Sequence, residues 1–244
     1  MNNSVLTIPN LQLAIAFIPV VITLVIFWRW SLGLGNAVYA VARMLVQLLL
    51  IGYVLAYIFG AQGAGLIILV LSVMLIAASW IALREVGQQR RQLFLPVLLS
   101  IAVGGGLTLL LISHWVLQLQ PWYLPNYMVP LAGMIFANAM TAVSLAAERL
   151  SAELAHNIDW DRARLTAYHA AMIPVINSLF AVGLVSLPGM MTGQILSGVS
   201  PEIAARYQII VMCMIFSSAG ISAAIFLATS RTQMQNSVGV TAES

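Results

Sequence analysis

The sequence predicts an all-α integral membrane protein with about seven transmembrane helices. Three observations carry that prediction. Of its 244 residues, 61% are hydrophobic and only 7% charged, against roughly a quarter charged in soluble domains. The mean hydropathy is +0.99. Apolar stretches of about 20 residues, the length that crosses a bilayer, recur along the chain, and residues 92–147 and 165–201 contain no Asp, Glu, Lys or Arg.

Taken in order, span 1 is read as Leu11–Trp30, span 2 as Ala40–Phe59 and span 3 as Ala64–Leu83. Span 4 is Leu93–Leu117 and span 5 Tyr127–Ala147, joined by the turn QLQPWYLPNY. Span 6 is Tyr168–Leu187 and span 7 Tyr207–Thr229. The N-terminal MNNSVLTIPN lacks the basic region of a signal peptide, so span 1 is expected to remain in the mature protein. No internal repeat or separate soluble domain is visible, and residues 1–244 read as a single polytopic domain.

The arginines orient these spans. Counting alternate connections, Arg29, Arg43, Arg84, Arg90, Arg91, Arg149, Arg162, Arg164 and Arg231 fall on one side and only Arg206 on the other. The positive-inside rule makes the first side cytoplasmic. The N-terminus is then outside and the C-terminus inside. Trp28, Trp30 and Trp80 mark the inner boundary, and Trp115, Trp122, Tyr123 and Tyr127 the outer one.

Composition also excludes function classes. The net charge of +3 is scattered, which argues against nucleic-acid binding, and the single cysteine, Cys213, forms no disulfide framework. There is no lysine, so a phosphate-binding loop with its Lys is ruled out. If ATP is used, another chain binds it. His114, His156 and His169 belong to different ends of the spans and do not form one site. No catalytic constellation emerges, and the chain reads as a non-enzyme.

The least ordinary stretch is Ser186–Pro201, SLPGMMTGQILSGVSP. Pro188 and Gly189 interrupt an apolar run, and Met190, Met191, Thr192, Gly193 and Gln194 follow. Gly189, Gly193 and Ser197 recur every fourth residue, a small-residue stripe of the kind that lets helices approach closely in a bilayer. The stretch reads either as a kinked packing stripe or as a pore segment lined by protein or water. Gln47, Asn138, Asn177, Ser178 and Gln194 are the polar residues at depth, and Arg43 is the main charge there, placed to snorkel inward. Thioethers suit Cu(I), so Met190 and Met191 are weak metal candidates, although methionine is also a common core filler. Two connections are charged: Arg84–Arg91 (REVGQQRR) and Glu148–Arg164 (ERLSAELAHNIDWDRAR). Each reads as a solvated loop, the second with a short amphipathic helix, or as a docking surface for a soluble partner. The docking candidates are Arg84, Glu85, Arg90, Arg91, Glu153, Asp159, Trp160, Arg162 and Arg164.

Three segments carry a family resemblance: VGLVSLPGMMTGQILSGVSPEIAARYQIIVM at 182–212, RMLVQLLLIGYVLAYIF at 43–59 and VPLAGMIFANAMTAVSL at 129–145. They resemble the FetB-type family of ABC transporter permeases, which includes bacterial iron-export permeases and plant aluminium-tolerance permeases. The resemblance runs in order over nearly the whole chain. It implies a permease in the bacterial inner membrane, as a homodimer paired with two copies of a separate ATP-binding subunit, with metal (iron) export as the leading role. This chain would bind no cofactor, the ATP being held by the partner. Matching positions are Arg43, Gln47, Gly133, Met134, Asn138, Met140, Leu187, Pro188, Gly189, Met190, Met191, Gly193, Tyr207 and Gln208. The transport-path or gate candidates are Pro188, Gly189, Met190, Met191, Gly193, Gln194, Asn138, Met134, Met140, Asn177, Arg43 and Gln47.

This chain departs from the family in three places. Ala137 stands where Gly is usual. Asn177 and Phe180 replace an Asp and a Lys, removing both charges together. The connection between spans 5 and 6 is short and lacks the Leu-Gly-Ala element before span 6, in a segment that would act as the coupling helix. These departures keep two further readings open: an ATPase-independent channel or secondary carrier, and a non-transporting membrane scaffold.

Overall fold

The computed structural model describes residues 9–60, 63–87 and 90–234. Among them the chain is helical, with no strands and one isolated bridge between Val182 and Ser186. It divides into two compact units, residues 1–61 and 62–244.

In the first unit, α1 (Asn10–Ile15) and α2 (Ile18–Arg29) are two pieces of one apolar segment. Pro19 has no N–H to continue the ladder. The amides of Ala16 and Phe17 instead bond three residues back, to Leu13 and Ala14. Gly33, at φ 75°, turns the chain into α3 (Leu34–Gly60). This helix begins earlier than span 2 was read, so Arg43 lies about two and a half turns inside it rather than near its start. Arg43 and Gln47 sit one turn apart on α3.

The second unit holds α4 (Ala64–Ala82), α5 (Arg90–Leu111), α6 (Pro125–Ala155), α7 (Trp160–Ala181), α8 (Gly189–Leu196) and α9 (Pro201–Thr229). A π-helical turn, Ile112–Val116, extends α5. Helix α6 packs against α4, α5, α7 and α9, and α9 also against α5, α7 and α8. The inward face of α6 is spelled by Ala132, Ile135, Ala139, Ala142, Ala146 and Leu150, each at most 1% exposed. Their spacing of three and four residues is the helical period. Alanine there keeps the neighbouring backbones close.

Helices α5 and α9 approach closely at Gly104. A Cβ built on Gly104 would lie 2.8 Å from the backbone nitrogen of Ser222, and also against its Oγ. Three buried hydroxyls are satisfied locally: Ser79 donates to the Leu75 carbonyl, Ser100 to Val97 and Thr108 to Gly104, at 2.7–2.8 Å, whereas the Ser222 Oγ has no partner. Such local bonding answers the demand that polar groups be paired inside a bilayer.

Among the described residues, six helical segments are long and apolar enough to cross a membrane: Asn10–Arg29, Leu34–Gly60, Ala64–Ala82, Arg90–Val116, Pro125–Ala155 and Pro201–Thr229. Helix α7, matching span 6, has the length at 22 residues but not the apolarity. It also ends six residues before the expected Leu187. Gly183, at φ 84°, starts a tight loop in which its amide bonds the Ser186 carbonyl and the Ser186 amide bonds Ala181.

The segment 148–164 is not a loop carrying a short helix. Helix α6 runs on to Ala155, and α7 starts at Trp160. The turn His156–Asp159 between them is closed by Asn157 at φ 57° and by the Asp159 carboxylate, which accepts from the Asp161 amide at 3.1 Å and caps α7.

Candidate functional site

The stretch Ser186–Pro201 forms the eight-residue helix α8 and its two connections. Pro188 stands just before α8, and Gly198, at φ 95°, turns the chain into α9. Helix α8 packs on α9. On α6, Pro130, Met134 and Asn138 repeat every fourth residue. On α9, Gln208, Val211, Met212 and Ile215 follow the same helical period. Both sets line a cavity of about 300 Å³ or its neighbours, shared by α6, α7, α8 and α9.

That cavity is lined by Met134, Asn138, Ser178, Pro188, Gly189, Met190, Gln208 and Met212, among others. A second cavity, of about 200 Å³, shares Met134, Met190 and Val211 with it and adds Gln194, Tyr127 and Tyr207. A third, of about 480 Å³, shares Val182, Gln208 and Met212 and adds Met191 and Cys213. The three share lining residues and together make up a groove region against α9.

Polar chemistry in the groove comes from amides and hydroxyls. Asn138 Nδ2 donates to the Met134 carbonyl at 2.8 Å, leaving its side-chain oxygen uncommitted. Gln208 is 6% exposed, and its Oε1 has no hydrogen-bond partner. The Gln194 Oε1 is buried and unpaired in the same way. An orphaned buried acceptor costs about 1–3 kcal/mol, and such groups are rare enough to need a reason. Gln208 lines the cavities of about 300 and 480 Å³ and Gln194 the one of about 200 Å³. Among the described residues, no three of His, Cys, Asp and Glu come together.

Of the path candidates from sequence, Met134, Asn138, Pro188, Gly189, Met190, Met191 and Gln194 line this groove. Met140 and Asn177 line none of these cavities; Ser178, one residue on, does. Arg43 and Gln47 belong to the other unit. The small-residue stripe does not pack within the chain: a Cβ on Gly189 or Gly193 would meet nothing within 4 Å. Gln208 and Met212 are the additions. Gln208 was legible only as a family-matching position beside Arg206 and Tyr207, which reads as the interfacial start of a span.

The charged end lies opposite. Helix α4 ends, α5 begins, α6 ends and α7 begins there, and Arg231, past α9, lies 5.7 Å from the Trp160 ring. Arg90 donates to the Trp80 carbonyl at 2.6 Å and stacks 3.7 Å from its ring centroid, fastening α5 to α4. Trp160 is 5% exposed and belongs to the core. Arg84, Glu85, Arg91, Asp159, Arg162 and Arg164 are exposed, with Arg84 paired to Glu85 at 3.0 Å and Arg164 to Asp161 at 3.2 Å. Glu153 pairs with Arg149.

A family model described as an uncharacterised protein family, UPF0014, matches residues 10–165 and 159–234. The chain is 33% identical over 224 residues to the UPF0014 membrane protein slr1647 of Synechocystis sp., covering 86% of each. It is 33% identical over 234 residues to the probable iron export permease protein FetB of Escherichia coli, covering 89% of each. It is 32% identical over 225 residues to the protein ALUMINUM SENSITIVE 3 of Arabidopsis thaliana, covering 86% of this chain and 81% of that one. No solved structure matches the chain.

Proposed function

Because the chain belongs to the UPF0014 family of membrane proteins, we propose that it is the membrane-spanning permease of an ABC transporter that exports metal ions from the cytoplasm. The observation that carries the proposal is the match to the iron export permease along 89% of both chains. Iron is the metal in that relative's name and the first cargo to test. A separate ATP-binding subunit hydrolyses ATP, and two copies of each subunit assemble in the bacterial inner membrane. The chain crosses the membrane seven times, with its N-terminus outside and α7 as the least apolar crossing. The groove along α9 is the outer part of the path. The exposed Arg162 and Arg164 at the start of α7, with Arg84 and Arg91, form the surface on which the ATP-binding subunit docks.

One observation favours a second reading, transport without an ATPase. The turn between α6 and α7 is short, and the family match is in two pieces that meet at residues 159–165, where a coupling helix is expected. Co-purification with the ATP-binding subunit separates the two. The permease reading predicts a stable complex whose ATP hydrolysis this chain alters, and weaker association on Arg162→Ala plus Arg164→Ala. No association and unchanged hydrolysis would favour the second.

A further inference from the structure

We propose that the groove between α6, α8 and α9 binds a soft univalent metal ion, Cu(I) or its redox-inert counterpart Ag(I), through the thioethers of Met134, Met190 and Met212 and the side-chain oxygen of Gln208. The inference names the cargo of the same groove and, for its role in transport, rests on the permease reading.

Two groups of methionines stand apart. Met128, Met172, Met214 and Met234 are 1–4% exposed and fill the core, as flexible thioethers commonly do. Met134, Met190 and Met212 are half-buried, come from three different helices and line one cavity of about 300 Å³. The second observation is independent of methionine. Gln208, more than nine-tenths buried, lines the same cavity with an unpartnered oxygen. A cation beside it supplies the missing partner, and the uncommitted Asn138 oxygen is in reach of the same space.

The donor set also selects the charge. No Asp, Glu or His lines this cavity. Hard divalent ions take oxygen-rich shells with carboxylates. The cost of moving an ion out of water rises with the square of its charge, and neutral donors do not offset a second positive charge. Thioethers, by contrast, are the ligands that select Cu(I). The site therefore ranks Cu(I) and Ag(I) above Fe(II), the metal in the relative's name.

The test uses the full chain, purified in lipid nanodiscs without an ATP-binding subunit, in a Cys213→Ser background because Cys213 lines the adjoining cavity. Metal bound at equilibrium is measured with Ag(I), with Cu(I) under ascorbate and with Fe(II) under anaerobic conditions. The expected result is one Ag(I) or Cu(I) per chain, bound at least tenfold more tightly than Fe(II), with sulfur neighbours in X-ray absorption. Binding should weaken at least tenfold in the Met134→Leu, Met190→Leu, Met212→Leu triple variant and severalfold in Gln208→Leu. These swaps nearly conserve volume, and a thermal melt confirms that each variant is folded. Ag(I) binding unchanged in the folded triple variant, lost on Cys213→Ser alone, or weaker than Fe(II) binding would overturn the proposal. No ATPase takes part, so failure here leaves the permease reading standing, and failure to associate with an ATPase leaves this one standing.

Discussion

Gln208 places an amide oxygen where nothing in the chain answers it. Replacing it with leucine removes the orphaned acceptor at similar volume. We expect Gln208→Leu to hold or raise thermal stability by about 1 kcal/mol while lowering transport at least tenfold. A variant that is both less stable and fully active would show that the residue serves packing. Gly104 makes the opposite case. Its missing Cβ is the gap that Ser222 fills, and the nearest obstacle includes backbone nitrogen. Gly104→Ala is expected to cost about 3 kcal/mol, the upper end of overpacking effects. Gly106→Ala, with nothing within 4 Å of its Cβ, should be neutral or slightly stabilising. A thermal melt of the two side by side checks both.

At the scale of the element, α8 is set apart by its ends. Gly183 and Gly198 turn the chain before and after it, and its glycines face open space. Gly189→Leu and Gly193→Leu should therefore leave the melting temperature within the usual surface range, about 0.5 kcal/mol. A large loss would mean that another chain covers this face. The sequence made most helices legible. The uncharged run gave α4 to within one residue, while α5 starts three residues and α9 six residues before the spans read for them. The ends of α6 and α7 were not legible, because there the helices leave the apolar band. Leu150, Leu154, Trp160, Ala163 and Ala167 continue the buried face, but arginines and acids between them make the segment read as a loop. At the groove, Met134, Asn138, Met190 and Gln194 stood out as soft or polar residues at depth. Asn177 stands where the resembling family has an Asp, but Ser178 lines the groove, and one residue on a helix turns a side chain by about 100°.

The whole molecule carries its chemistry at two separated places in the second unit. The groove gathers thioethers and amides and no charge. The opposite end gathers Arg84, Glu85, Arg91, Asp159, Arg162 and Arg164, all exposed, near Trp160 and Trp80. In the proposed permease, cargo would be contacted at the groove and energy delivered at the opposite end through α6, α7 and α9. The most direct measurement is metal flux across vesicles reconstituted with this chain, with and without the ATP-binding subunit. The account predicts metal movement only when both chains and ATP are present, reduced at least tenfold by Gln208→Leu. Equal flux without the subunit or without ATP would contradict it.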